Sequence, residues 1–182
     1  MSSQSLRRVY TLSDQQTSVQ EKIDLEHDAA KLFMRHFENR TGQPIRHIWH
    51  NQPTKPDVSC QLNDQRLDLE IAHLYGSEEE AMLILGRELT EITRQALQEQ
   101  QRVPVNDRLL KALNRILSKK AEKTYQTKRV WLVIRNAHPA WSTKDILNLL
   151  PKIEVPAKHP FEQIWIVGDM EGITGIVPLF PA

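Results

Sequence analysis

Cysteine is almost missing from this chain. Cys60 is the only one, so no intrachain disulfide can form and a Cys-rich zinc module is excluded. Glycine is scarce as well. The six glycines form neither a Walker loop nor a dinucleotide-binding turn, which removes the familiar glycine-built phosphate cradles. No apolar run reaches the ~18 residues needed to cross a bilayer, so no membrane partner is expected. The opening stretch, MSSQSLRRVYTLSDQQ, lacks the apolar centre of a secretory signal. Neither sign of charge dominates: 24 Lys and Arg stand against 23 Asp and Glu, a net charge of +1. Overall charge therefore says nothing about a nucleic-acid partner, and only local clustering can. These absences fit a reducing, cytoplasmic setting.

What is present suits one folded domain. The 182 residues are 40% hydrophobic and 26% charged, ordinary values for a globular protein with a real core. Residues 1–17 are expected to be loosely ordered, with Val9, Tyr10 and Leu12 as anchors, and residues 18–182 to form a single α/β domain. Ile23, Ala30, Phe33, Met34 and Phe37 recur at helical spacing, so a helix is expected from Ser18 to Arg40, stopped by Thr41-Gly42. Strands follow at Ile45–His50, Val58–Leu62 and Gln65–Leu74, the last two joined by a tight Asn63-Asp64 turn. Ser77 and Glu80 read as a capping box opening a long helix with the stripe Met82, Leu85, Leu89, Ile92 and Ala96, broken at Val103-Pro104. A second helix, capped by Asn106 or Asp107, is expected from Arg108 to about Gln126 on Leu109, Leu113, Ile116 and Leu117. Arg129–Ala137 and Gln163–Asp169 read as strands, with a short Ser142-capped helix between them. Gly175–Phe180 completes the set as an edge strand because of Pro178. This order predicts a mixed central β-sheet flanked by helices.

One stretch asks for chemistry. In KPDVSCQLNDQRLDLEIAH, Asp68 and Glu70 share one face of a strand whose other face is Leu67, Leu69 and Ile71. Pairing through the Asn63-Asp64 turn sets Asp57 opposite Glu70 and Ile71. Either that face is wet, or the carboxylates converge, which requires a cation or a shared proton between them. Oxygen ligands of this kind suit Mg²⁺.

Pro56-Asp57 followed by Glu70 on a strand resembles the PD-(D/E)XK nuclease-like superfamily, and the order helix, three-strand meander, helix, strand from Ile23 to Asn136 is similar to its core. The resemblance implies a restriction-endonuclease-like fold and Mg²⁺- or Mn²⁺-dependent hydrolysis of DNA phosphodiesters. It makes Asp57 and Glu70 metal-binding catalytic residues, with Asp68 sharing the ion and Glu26 an added ligand. The sequence departs from the motif where lysine belongs, at Ala72. Reading Asp68-Leu69-Glu70 as the motif puts a Glu where lysine belongs. Alternatively the lysine has moved to a helix, or the site is degenerate and the protein only binds protein or nucleic acid. The helix reading has a physical basis: the stripe through Leu113, Ile116 and Leu117 continues to Lys120 and Thr124. A core-facing ammonium needs a carboxylate partner, so Lys120 is the candidate catalytic lysine.

Arg108, Lys111, Arg115, Lys119, Lys120, Lys123, Lys128 and Arg129 crowd one segment. Lys111, Arg115, Lys119 and Lys123 are the candidate phosphate-backbone contacts, although a solvated helix face explains Lys119 and Lys123 equally well. His47 and His50 alternate across a strand and do not suit one zinc ion with Cys60 and His73. Cys60, mid-strand, reads as an inert thiol. The sequence leaves open whether a homodimer forms, and whether the chain is instead an unrelated α/β interaction domain whose acids never meet.

Overall fold

The computed structural model describes residues 12–51 and 56–181. Helix α1 (Leu12–Thr41) begins earlier than the Ser18 expected and ends at Gly42, whose φ of +69° suits a residue without Cβ. Val9 and Tyr10 lie outside the described residues. Strands β1 (Ile45–His50), β2 (Val58–Leu62) and β3 (Gln65–Leu74) follow with the expected bounds. The β2–β3 turn places Asn63 and Asp64 at φ 50° and 63°, the left-handed pair that a two-residue hairpin requires.

The segment after β3 is two helices rather than one. Helix α2 (Glu78–Ile84) is capped by Ser77 and ends before Gly86, again at φ +69°. Thr90 caps a new helix, α3 (Glu91–Gln100). The expected stripe dissolves accordingly: Ile92 is 81% exposed, and Leu97 is the buried residue of α3. Glu80 does not close a capping box. Its carboxylate pairs with Arg108 and lies 3.3 Å from His138 Nε2, which ties α2 to the helix after α3. That helix, α4 (Val105–Ala121), starts behind Pro104 rather than at Arg108 and stops before Thr124, which is exposed. Strand β4 (Val130–Asn136), helix α5 (Thr143–Leu149) with a Ser142–Asp145 capping box, and strands β5 (Gln163–Val167) and β6 (Ile176–Phe180) complete the chain.

The six strands lie in sequence order, β1 to β6. The β1–β2, β2–β3 and β5–β6 pairs are antiparallel, while β3–β4 and β4–β5 are parallel. The protein is thus an α/β fold on a mixed sheet, with β6 and its Pro178 at an edge. Helix α1 covers one face, where Phe33 and Phe37 pack among Leu67, Leu69, Ile71, Trp131 and Trp165. Helices α4 and α5 cover the other, where Leu109, Leu113 and Leu117 meet Ala72, Leu74, Leu132 and Ile134. Central strands covered on both faces read as continuous apolar runs, and β4 is buried throughout. No helix among the described residues is long and apolar enough to cross a membrane.

Phe33 is fully buried and meets Phe37, Trp131 and Trp165 at centroid distances of 5.7, 6.2 and 5.9 Å. Replacing it with alanine should cost about 3–5 kcal/mol, read from the midpoint of a urea unfolding curve.

Candidate active site

Strand β3 outruns its neighbour. The β2–β3 ladder ends at Val58 opposite Leu69, so among the described residues the edge of β3 beyond that point has no partner strand. Side chains meet the peptide groups of Ile71 instead. The Ile71 N–H donates to Asp57 Oδ2 at 2.9 Å, and Lys120 Nζ donates to the Ile71 carbonyl at 3.1 Å. Buried backbone groups require partners, and here those partners carry charge. Asn51 fixes the approach of Asp57: its backbone N–H donates to the Asp57 carbonyl at 2.9 Å, and its side-chain amide to Pro56 O at 2.9 Å and Ser59 Oγ at 2.7 Å.

Glu70 lies at the centre and is fully buried. Its Oε1 accepts from Lys120 Nζ at 2.5 Å and from Lys123 Nζ at 3.0 Å. Its Oε2 is buried without a hydrogen-bond partner among the described residues. These groups line a cleft of about 660 Å³. From α1 come Ser18, Val19, Lys22 and Glu26, and from α4 and the turn after it Lys119, Lys120 and Lys123.

The two central carboxylates are driven apart. Burial raises Asp57, the nearby Glu70 charge raises it further, and the Ile71 N–H only partly opposes this. Burial would raise Glu70 too, but the charge and hydrogen bond of Lys120, with those of Lys123, outweigh it and leave Glu70 below the usual range. Burial lowers Lys120 against the pull of Glu70. Burial, then Glu70, raises Tyr125. Neighbouring groups pushed in opposite directions are a mark of functional sites.

The face bearing Asp68 and Glu70 is therefore not wet; both residues are fully buried. Asp57, Glu70 and Lys120, distant in sequence, do come together. Asp68 does not join them. It lies opposite Ser59 in the ladder, accepts from Ser59 Oγ at 2.5 Å and Arg66 Nε at 3.0 Å, and is absent from the cleft lining. Glu26 reaches the cleft but pairs with His50 Nε2 at 2.9 Å and Lys22 at 3.4 Å. Of the candidate phosphate contacts, Lys119 lines the cleft and is exposed, whereas Lys123 is turned inward onto Glu70. Arg115 is exposed and reaches Gly76 O at 3.4 Å; Lys111 is exposed outside the cleft.

No zinc site forms among the described residues, where no group of three or more His, Cys, Asp or Glu side chains is disposed around a metal position. The His47 side chain lies outside the described residues. Cys60 is fully buried, and burial pushes its thiol up to about 12. Sequence reasoning passed over Asn51, Arg87, Tyr125 and Tyr75, and gave His73 no role in the cleft. His73 adjoins Ala72 and lines the cleft, with burial and then Arg135 taking it down to about 4.

No protein-family model, curated protein or solved structure matches this chain, so geometry alone carries the functional reading.

The pH dependence has a definite sign. A carboxyl raised on folding contributes stability below its unfolded pKa and loses it as pH rises through the folded pKa; a depressed one behaves oppositely. Asp57 therefore weakens the fold at neutral pH, and Glu70 supports it there. Asp57→Asn keeps an oxygen for the Ile71 N–H. It should raise the melting temperature at pH 7. The gain should vanish below about pH 3.9, where Asp is protonated in both states. Melts across that range check it.

Proposed function

We propose that this chain is a metal-dependent hydrolase of nucleic-acid phosphodiesters, with DNA as substrate and Asp57, Glu70 and Lys120 as its working residues. One observation carries the reading: two buried carboxylates and an amine, remote in sequence, converge on a partnerless strand edge inside a basic-walled cleft. The donor set fits Mg²⁺ or Mn²⁺. Asp57, the orphaned Glu70 Oε2 and the Ile71 carbonyl are all hard oxygen donors, and Mg²⁺ usually takes one or two carboxylates and keeps several waters. When bound, such an ion supplies charge stabilisation at a phosphoryl oxygen and a more acidic attacking water. The chain's own groups do the rest. Asp57 and Glu70 supply the negative charge that holds the ion. Lys120, anchored to Glu70 and Ile71 O, orients the attacking water and steadies the negative charge on the phosphate oxygens as the water oxygen bonds to phosphorus and the ester oxygen leaves. Lys119, exposed on the wall, meets substrate phosphate.

A binding-only protein is the second reading. It is favoured by the two ammonium groups that already neutralise Glu70, which leaves less need for an added ion. Oligonucleotide cleavage in Mg²⁺ or Mn²⁺ decides between them. Asp57→Asn and Glu70→Gln should each lose at least about 10²-fold, and Lys120→Met about 10²–10³-fold. Millimolar Mg²⁺ should raise the melting temperature of the wild type but not of Glu70→Gln. Undiminished cutting by both carboxylate variants overturns the assignment. No cutting and no thermal shift in the wild type select the binding-only reading.

A further inference from the structure

The lining of the cleft is not uniformly basic. Beside Lys22, Lys119 and Lys123 it presents an aromatic pair and an apolar rim. Tyr75 and His73 stack at 6.3 Å with 25° between their planes, and Val19, 58% exposed, faces the cleft with Leu85. The mouth is linked from wall to wall. Arg87, in the segment between α2 and α3, lies 3.7 Å from Glu21 of α1, both line the cleft, and both are about half exposed. Glu70 sits fully buried beneath these walls, with Asp57 almost so.

A duplex presents phosphates outward and hides its bases, and it cannot enter a space of about 660 Å³, the size of a pocket for one small ligand. An unpaired strand offers both a phosphate and a flat base. Sites for single strands combine cationic walls with aromatic platforms on which bases stack. We propose, resting on the hydrolase reading above, that the substrate is single-stranded nucleic acid, an unpaired stretch or strand end, with one base seated on Tyr75. The adjoining phosphate then lies toward Lys120 and the carboxylates. The Arg87–Glu21 link, an exposed ion pair of at most about 1 kcal/mol, yields to the entering strand.

Binding tests this without requiring catalysis. Fluorescence anisotropy of the full chain in EDTA compares a labelled 12-nucleotide single strand with its blunt duplex. The single strand should bind at least about tenfold tighter. Tyr75→Ala should weaken single-strand binding about 5- to 100-fold, the range stacking of one base supplies, and leave the weak duplex binding unchanged. Tyr75→Phe should retain it, which separates stacking from loss of fold. Equal or tighter duplex binding, no binding to either probe, or an unaffected Tyr75→Ala overturns the proposal. A chain that shows this preference yet cuts no DNA in Mg²⁺ retains the single-strand site and loses the hydrolase reading.

Discussion

The ion pair between Glu70 and Lys120 is the constraint on which the surrounding architecture turns. A carboxylate in the middle of a sheet covered on both faces is severely destabilising unless it is paired and hydrogen-bonded. Glu70 meets that requirement with two ammonium groups on one oxygen. Lys120 can reach it only because α4 lies along that face of the sheet, on Leu109, Leu113 and Leu117. The same lysine satisfies the Ile71 carbonyl at the abandoned strand edge. One side chain thus answers two buried needs, an unpaired charge and an unpaired peptide group. Removing one partner of such a pair typically costs about 3–5 kcal/mol, so the position of α4 and the chemistry of the cleft cannot vary independently.

Asp57 stands in contrast. Its charge is opposed by burial and by Glu70, and only one of its oxygens takes the Ile71 N–H. Apolar packing does not ask for a carboxylate there. A group that costs stability at neutral pH, and is held in place by three contacts from Asn51 just after β1, has the character of a functional residue rather than a structural one. Asp57 thus bears the cost of burial, while Glu70 beside it has two ammonium partners on Oε1 and, among the described residues, none on Oε2.

Much of this was legible in the chain. The bounds of β1, β2 and β3, the left-handed Asn63-Asp64 turn and the edge position of β6 follow from period-two alternation and turn chemistry. Lys120 was reachable too, because a cation on the continuation of an apolar helical stripe implies a buried partner. What failed did so for physical reasons. Asp68 shares a face with Glu70, but strand periodicity gives the face and not the neighbour. Ser59 and Arg66 claim Asp68 at a register position one cross-strand pair short of the open edge. Lys123 lies beyond the end of α4, so helical spacing had no authority over its direction. The stripe from Met82 to Ala96 ran through Gly86 because apolar residues happened to keep period across it. A glycine at positive φ ends a helix whatever the side chains beyond it suggest. Tyr75 and Arg87 carried no motif at all, and only the closing of the cleft gives them a place.

The small side chain at residue 72 suits the packing there. Residue 72 points to the same side as Glu70 and Leu74, and Ala72 is buried in the cluster with Leu109, Leu113 and Leu117. Ala72 also lines the cleft beside Lys120. Alanine lets the helix come close, and that approach delivers Lys120 to Glu70 at 2.5 Å. The amine reaches Glu70 from the wall of the cleft opposite the strand that carries the acid.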